Sequence, residues 1–243
     1  MSIDMPFTKE NLESYLKELA KEFKKRGHGT SAEMILVGGA SVLINYDFRI
    51  CSYDIDASYE MKPIMKEAIN AVGDRLGLPN GWVNDDFKDT VSYTPKIIQY
   101  SKYYKTFSNV LRIRTINAEY LVAMKLVSGR QYKKDLSDIA GIVYEQQMAG
   151  KPLSYELIDK AVMDLYGSWD NISDYSRNIL DKILECDDLK TLFLELSEDE
   201  VAAKEALLEV QKKYPKAINK DNVDDIIAVA MKKKRESNER DER

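Results

Sequence analysis

The spacing of apolar residues predicts strands mixed with helices in the first part of the chain and helices alone in the rest. The pattern predicts helices over 8–26, 40–47, 62–76 and 118–129. Short apolar or alternating runs predict strands over 33–37, 53–59, 94–100 and 109–115. The polar segment 80–90 is interpreted as a loop or a lid. This order of elements favours a small mixed sheet backed by helices.

The remainder of the chain has the apolar pattern of helices only. A helix ending near Gln147 is followed by predicted helices over 154–166, 171–186, 188–196, 198–213 and 221–234. Ser197 followed by Glu200 is typical of a capping box, so one helix is expected to end and another to begin there. The predicted class is α+β, with a mixed-sheet core over 1–150, a helical C-terminal domain over 151–234 and a charged, disordered tail over 235–243.

Composition describes an ordinary soluble protein. With 243 residues, 44% of them hydrophobic and 32% charged, the chain is long enough for one large domain or two small ones. No apolar run approaches the roughly 18 residues that span a bilayer, and residues 1–10 lack a signal-peptide pattern. Cys51 and Cys186 lie far apart and are expected to be reduced thiols, so we expect a cytoplasmic protein without membrane contact. The net charge of −5 argues against a broadly basic surface but permits a local cationic groove.

One stretch combines a glycine turn with a pair of aspartates. Gly38 and Gly39 follow a buried strand and open a short helix, and Asp54 and Asp56 flank Ile55 in the next strand. Because side chains alternate along a strand, both aspartates are expected on one face while Ile55 enters the core. Paired carboxylates suit Mg²⁺, and glycines at a helix N-terminus favour a bound phosphate. Phosphoryl or nucleotidyl transfer requires these two sites side by side.

The order of these residues resembles the signature of the polymerase-β-like nucleotidyltransferase superfamily, in which a Gly-Gly or Gly-Ser turn precedes a strand with Asp-x-Asp. The form found here, Gly-Gly-Ala-Ser, Asn45-Tyr46, Arg49, Ser52 and Asp54-Ile55-Asp56, is most similar to the AbiEii-type toxin nucleotidyltransferases. The resemblance implies a nucleotidyltransferase core that uses an NTP and Mg²⁺, with the metal on Asp54 and Asp56. The backbone around Gly38 and Gly39 and the Ser41 hydroxyl would hold the β- and γ-phosphates. Arg49 would either do likewise or pair with a carboxylate.

A charged cluster follows the apolar helix 118–129. Lys125 is the one charge in the middle of that helix, and it either extends its ammonium group to water or directs it at a nucleotide phosphate. Arg130, Asp135 and Asp138 follow, again resembling the AbiEii-type pattern. That resemblance implies that Lys125 binds the triphosphate and that Asp135 belongs to the catalytic centre as the base. Asp138 either joins it or simply favours the helix N-terminus.

The predicted site departs from the superfamily in one respect. Many members carry a third carboxylate on a later strand, whereas the strand 109–115 offers Arg112 and Arg114. Either Asp135 fills that role, or the metal site is poorer. This departure leaves open a descendant that binds nucleotides without turnover.

The acceptor of the transferred group is suggested only by the resemblance. AbiEii-type toxins imply a tRNA, another RNA or a protein side chain as acceptor, and an antitoxin as partner. Arg112, Arg114 and the Lys133-Lys134 pair would then form a cationic groove for RNA, or else are ordinary exposed residues. A small-molecule acceptor is the alternative for an active enzyme.

Overall fold

A five-stranded mixed sheet with helices forms the first part of the computed structural model, which describes residues 6–215, 218–219, 222–223 and 225–229. The strands are β1 (Ala32–Leu36), β2 (Ile55–Tyr59), β3 (Val83–Asn84), β4 (Ser101–Phe107) and β5 (Leu111–Ile116). The helices are α1 (Lys9–Arg26), α2 (Gly38–Asn45), α3 (Lys62–Leu76), α4 (Ala118–Ser128), α5 (Asp135–Met148), α6 (Tyr155–Tyr166), α7 (Asp174–Glu185) and α8 (Leu189–Lys213). The predicted α+β class is confirmed.

The sheet has the strand order β3-β2-β1-β5-β4. β1 pairs antiparallel with β2 and parallel with β5, β2 pairs parallel with β3, and β4 pairs antiparallel with β5. β1 is therefore the central strand, and its pairing positions the glycine turn that follows it and Asp56 of β2, while Asp54 immediately precedes β2.

One face of the sheet forms the main apolar core. Met34, Ile55 and Ile113 are fully buried there, together with apolar side chains of α1 and α3. The helical spacing of these side chains explains why the two helices form on this face: Leu12, Leu16, Leu19 and Phe23 of α1, and Met65, Ala68, Ile69 and Val72 of α3. The alternating residues of β2 and β5 point to the opposite face, which leaves that face more polar.

The chain divides into two compact units, each discontinuous in sequence. The first comprises Met1–Met124 and Leu153–Trp169, and the second comprises Lys125–Pro152 and Asp170–Arg243. α4 passes from the first unit into the second. The predicted boundary at residue 150 between a core domain and a helical domain stays a prediction.

Three sequence-based predictions of elements are wrong. The segment 80–90, expected to be a loop or a lid, contains the short strand β3 and a 3₁₀ turn, Asp86–Asp89. The strand expected over 94–100 is a 3₁₀ turn, Pro95–Ile98, because proline cannot donate to a strand ladder and Thr94 caps the turn. The break expected at Ser197 is absent, because the Ser197 hydroxyl donates to the Phe193 carbonyl at 2.8 Å inside the continuous helix α8.

The remaining expectations concern the cysteines, the last helix, the charged tail and membrane-spanning helices. Both cysteines are free, as predicted. Of the helix expected over 221–234, residues 223 and 225–229 are helical, and the rest lies outside the described residues, as does the predicted tail 235–243. Within the part of the chain that the structure describes, no helix combines the length and hydropathy needed to cross a membrane.

Ser41 joins α2 to the sheet, and its replacement gives a test of the fold. The Ser41 hydroxyl is fully buried and accepts the Ile116 N–H at 3.1 Å. Ser41→Ala leaves this N–H without its acceptor, so we expect the free energy of unfolding to fall by about 1–3 kcal/mol in urea titrations. Ser58→Ala, at a half-buried position of β2, is the matched control and should cost less. Equal losses in both variants would contradict this role for Ser41.

Candidate active site

Gly38 brings the turn after β1 into contact with β2. Its φ of +53° lies in the left-handed region that favours glycine. A Cβ at this position would lie 3.2 Å from the Asp56 carboxylate oxygen Oδ2. The Val37 N–H also donates to the Asp56 carbonyl at 2.9 Å. The Asp56 carboxylate therefore lies directly against the start of α2, where Val37 supplies no side-chain cap.

Gly39 makes room for two polar side chains on the same turn. A Cβ on Gly39 would lie 2.8 Å from both Arg49 Nη2 and Ser52 Oγ. Arg49 Nε donates to the Cys51 carbonyl at 3.3 Å. Ser52 is held by Phe7, with which it exchanges two backbone hydrogen bonds of 2.7 and 2.9 Å. The second glycine thus allows a guanidinium group and a hydroxyl to approach the backbone at the start of α2.

Ser52 belongs to the motif that carries the family resemblance, but the sequence predicts no role for it. Its position in the pattern with Arg49 and Asp54 was a signal, but nothing in that spacing showed that its side chain contacts Gly39. The contact depends on the path of the loop before β2, which Phe7 holds in place.

The two predicted metal ligands differ in exposure. Ile55 is fully buried, as predicted, while Asp54 is exposed and Asp56 is half-buried. Their carboxylate oxygens are the hard donors that suit Mg²⁺, an ion that takes few protein ligands and completes its shell with water and phosphate. No group of three or more His, Cys, Asp or Glu side chains suited to a metal occurs among the described residues. The chemistry of the two carboxylates fits Mg²⁺, and the binding of one ion by Asp54 and Asp56 together stays a prediction.

Ser41 has a different environment from the one its sequence position suggested. Besides accepting the Ile116 N–H, it lies beside Asn45, whose amide donates to the Ser41 carbonyl at 2.8 Å. A hydroxyl so placed holds α2 against β5. Phosphate binding by Ser41 remains a prediction without support from this geometry.

The second unit holds a buried ionic cluster around Lys125. The ammonium group of Lys125, which is 7% exposed, lies 2.8 Å from Asp135 Oδ1 and 2.8 Å from Asp138 Oδ2. Arg130 Nε donates to Asp135 Oδ2, also at 2.8 Å. Two cations and two carboxylates make this cluster neutral, as buried charges require.

Asp135 is held in its ionised form. Its burial alone would raise the pKa, but the charges of Lys125 and Arg130 and their hydrogen bonds hold the pKa of Asp135 far below its ordinary value. A carboxylate with so low a pKa is a weak proton acceptor near neutral pH. The contacts therefore favour Asp135 as the anchor of Lys125 and Arg130 more than as the predicted general base.

The glycine turn beside Asp56 is the arrangement that the sequence resemblance to the nucleotidyltransferases implies. Comparison with protein families agrees, because residues 14–175 match the model of a family described as "Nucleotidyltransferase of unknown function (DUF6036)". This match covers more than half of the chain, and the chain belongs to that family. Comparisons with curated proteins and with solved structures returned no match. The particular similarity to AbiEii-type toxins stays a prediction.

A methyl group on Gly39 tests the packing of the turn. In Gly39→Ala the new Cβ overlaps Ser52 Oγ and Arg49 Nη2, and the guanidinium group moves more easily than the anchored serine. We expect a loss of about 1–3 kcal/mol in the free energy of unfolding, measured in urea. Ser52→Ala should recover part of this loss in the Gly39→Ala background. Strict additivity of the two changes, with Ser52→Ala alone as the control, would contradict the contact.

The depressed pKa of Asp135 predicts a pH-dependent stability. A folded-state pKa below the ordinary value of 3.8 stabilises the fold above pH 3.8, and this contribution is lost as the pH falls through the folded value. We expect Asp135→Asn to be less stable than the wild type by about 3 kcal/mol at pH 7. The difference should narrow below pH 3.8 in urea titrations. Asp47→Asn, in the exposed ion pair with Lys9, is the control and should change little. A difference in the free energy of unfolding between the wild type and Asp135→Asn that does not vary with pH would rule out a depressed pKa of Asp135.

Proposed function

We propose that this protein is a Mg²⁺-dependent nucleotidyltransferase of the cytoplasm that transfers a nucleoside monophosphate from an NTP to a hydroxyl or phosphate oxygen of an acceptor, with release of pyrophosphate. The observation that carries the proposal is the contact between the Asp56 carboxylate and the Gly38 turn. It brings a ligand suited to a metal next to backbone suited to a phosphate. Membership of a nucleotidyltransferase family supports the reaction class.

Different residues of the first unit would bind the metal and the phosphates. Asp54 and Asp56 would hold Mg²⁺, which when bound neutralises negative charge on the triphosphate. The N–H groups of Gly38 and Gly39 orient the phosphates at the start of α2. Arg49, whose guanidinium group already lies against Gly39, supplies positive charge and further donors. Reactions of this kind depend on positioning and electrostatics, which these residues provide without forming a covalent intermediate.

Lys125 and Asp135 belong to the proposal through the sequence resemblance. The assignment of Lys125 to the triphosphate rests on that resemblance alone, because its ammonium group is already paired with Asp135 and Asp138. For Asp135 we favour the role of holding Lys125 and Arg130, because its pKa is too low for an effective base.

RNA, such as tRNA, is the acceptor class we propose, in an AbiEii-like toxin neutralised by an antitoxin. Arg112 and Arg114 support it: the register places Arg114 beside Ile35 and Ser58, on the same sheet face as Asp56. Arg112 is 60% exposed at its side chain, which suits a phosphate contact. Glu33 lies 3.6 Å from Arg112 and 3.7 Å from Arg114, so the positive charge of this face is only partly neutralised.

A nucleotide-binding module without turnover is the second candidate. It is favoured by the lack of a third carboxylate near the predicted metal ligands, since no three-ligand group exists among the described residues. Such a protein would bind an NTP with Mg²⁺ but modify nothing.

Transfer of label tests the proposal. Each α-³²P-labelled NTP is incubated with Mg²⁺, the protein and total tRNA, and we expect one NTP to label RNA. Asp54→Asn and Asp56→Asn should lower the rate about a hundredfold or more, because a metal carboxylate is lost. Asp89→Asn, in the exposed acidic loop, is the matched control and should transfer normally.

Each other outcome of this assay has a definite meaning. Label on the protein or on an added small molecule would replace RNA as the acceptor. Nucleotide binding without transfer to any acceptor would establish the binding module. Unaltered transfer by both aspartate variants would refute the site. Growth arrest on expression, relieved by Asp56→Asn, would support the toxin assignment.

A further inference from the structure

α5 begins without a capping side chain of its own. Its N-cap residue, Lys134, makes no side-chain hydrogen bond to the first turn. The first N–H groups of any helix have no partner inside the helix, and when buried they need an acceptor from elsewhere. Leu136 and Ser137 present two such groups in a buried turn.

Glu200 of α8 supplies the missing acceptor. Its Oε1 accepts the Leu136 N–H at 2.8 Å and the Ser137 N–H at 3.3 Å. Its other oxygen, Oε2, is hydrogen-bonded to the Ser137 hydroxyl. Glu200 is only 5% exposed, so a carboxyl group has been buried at this helix start. The sequence pattern predicts a capping box of Glu200 with Ser197 on its own helix, but the Glu200 side chain caps α5 instead.

The turn that Glu200 caps carries both aspartates of the Lys125 cluster. Leu136 and Ser137 lie between Asp135 and Asp138, and the two aspartates both contact the Lys125 ammonium group at 2.8 Å. Holding the two intervening N–H groups therefore fixes the direction in which both carboxylates leave the turn. Glu200 itself touches neither Lys125 nor Asp135 among the contacts that the structure describes.

The charge balance shows that burying Glu200 has a cost. The cluster of Lys125, Arg130, Asp135 and Asp138 is neutral without it, and an ionised Glu200 adds one negative charge. Burial is the main cause that raises the pKa of Glu200 to about 7, with the charge of Asp138 acting in the same direction against the hydrogen bonds from α5. The N-terminus of α5 offsets part of this cost through its dipole. Protonated or ionised, Oε1 can accept both N–H groups.

Glu200 lies outside the segment that defines the family. The family match ends at residue 175, and α8 begins at Leu189. The cap therefore ties a residue beyond the family segment to a turn inside it.

We propose that Glu200 is a positioning residue that holds Asp135 and Asp138 against Lys125 by capping the first turn of α5. Its expected effect on catalysis rests on the proposed function, in which Lys125 takes part, but its effect on the Lys125 cluster does not. A substitution at Glu200 should loosen the carboxylates around Lys125 even though no atom of the cluster is removed.

The test uses the full chain with three variants. Glu200→Ala removes the cap, and Glu200→Gln keeps an oxygen that accepts both N–H groups and an amide that can donate to Ser137. Leu196→Ala is the matched control, because Leu196 lies one turn earlier on α8, is equally buried and makes no contact with the cap among the described residues. Urea titrations of all three give the loss of overall stability against which the other readouts are compared.

Two readouts are independent of activity. We expect hydrogen exchange at the Leu136 and Ser137 amides to rise about tenfold more in Glu200→Ala than in Leu196→Ala. The stability lost with a helix cap corresponds to about a tenfold increase in the equilibrium constant for opening of the helix end. The ¹H–¹⁵N signal of the buried Lys125 ammonium group should weaken in Glu200→Ala and persist in Glu200→Gln. An unchanged Lys125 signal in Glu200→Ala would overturn the proposal, whatever the activity of the protein.

Kinetics then separate this proposal from the proposed function. If the wild type transfers nucleotides, Glu200→Ala should lower kcat about tenfold with a smaller change in KM, and Glu200→Gln should restore most of it. Equal kcat losses in Glu200→Ala and Leu196→Ala would reduce Glu200 to a packing role. If the wild type transfers nothing, the proposed function fails, and the two spectroscopic readouts alone decide whether Glu200 positions the aspartates.

Discussion

The contact between Gly38 and Asp56 is the constraint on which the first unit's site depends. A residue with a side chain at position 38 would have to adopt a left-handed backbone and place its Cβ 3.2 Å from the Asp56 carboxylate. Glycine removes both penalties, so β2 can pair with β1 while its aspartate lies against the start of α2. At Gly39 the same absence of a side chain admits Arg49 and Ser52. One short turn thereby brings acidic and basic groups against the half-buried backbone of Gly38 and Gly39.

The second unit is distinguished by charged side chains that are buried in its interior. Lys125, Asp135 and Asp138 are nearly inaccessible to water, and they are stable there because each is paired within 2.8 Å. The pairing keeps Asp135 ionised and suits it to hold cations. Capping of the same turn by Glu200 extends this polar network to α8. Polar networks of this kind favour one arrangement of side chains over others, since a partly formed network leaves buried charge unpaired.

Local patterns predicted what is determined locally. The alternation in β2 was enough to place Ile55 in the core, and the helical spacing in α1 and α3 identified their buried faces. The strand predicted over 94–100 is wrong for a local reason, because Pro95 cannot donate a hydrogen bond to a neighbouring strand. Glu200 shows a limit of another kind. The Ser197–Glu200 pattern satisfies the rule for a capping box, yet the Glu200 carboxylate accepts hydrogen bonds from the start of α5, which is distant in sequence. The Ser52–Gly39 contact likewise depends on Phe7, far away in sequence.

Paramagnetic relaxation is the most direct measurement of where a metal and a nucleotide meet. Mn²⁺ substituted for Mg²⁺, together with a non-hydrolysable NTP analogue, should broaden the backbone amide signals of Gly38, Gly39 and Ile55 before others in the first unit. Asp56→Asn should abolish this broadening, because one of the two carboxylates is lost. Broadening centred on the acidic turn Asp86–Asp89, or equal broadening in the Asp56→Asn variant, would contradict the site proposed at the glycine turn.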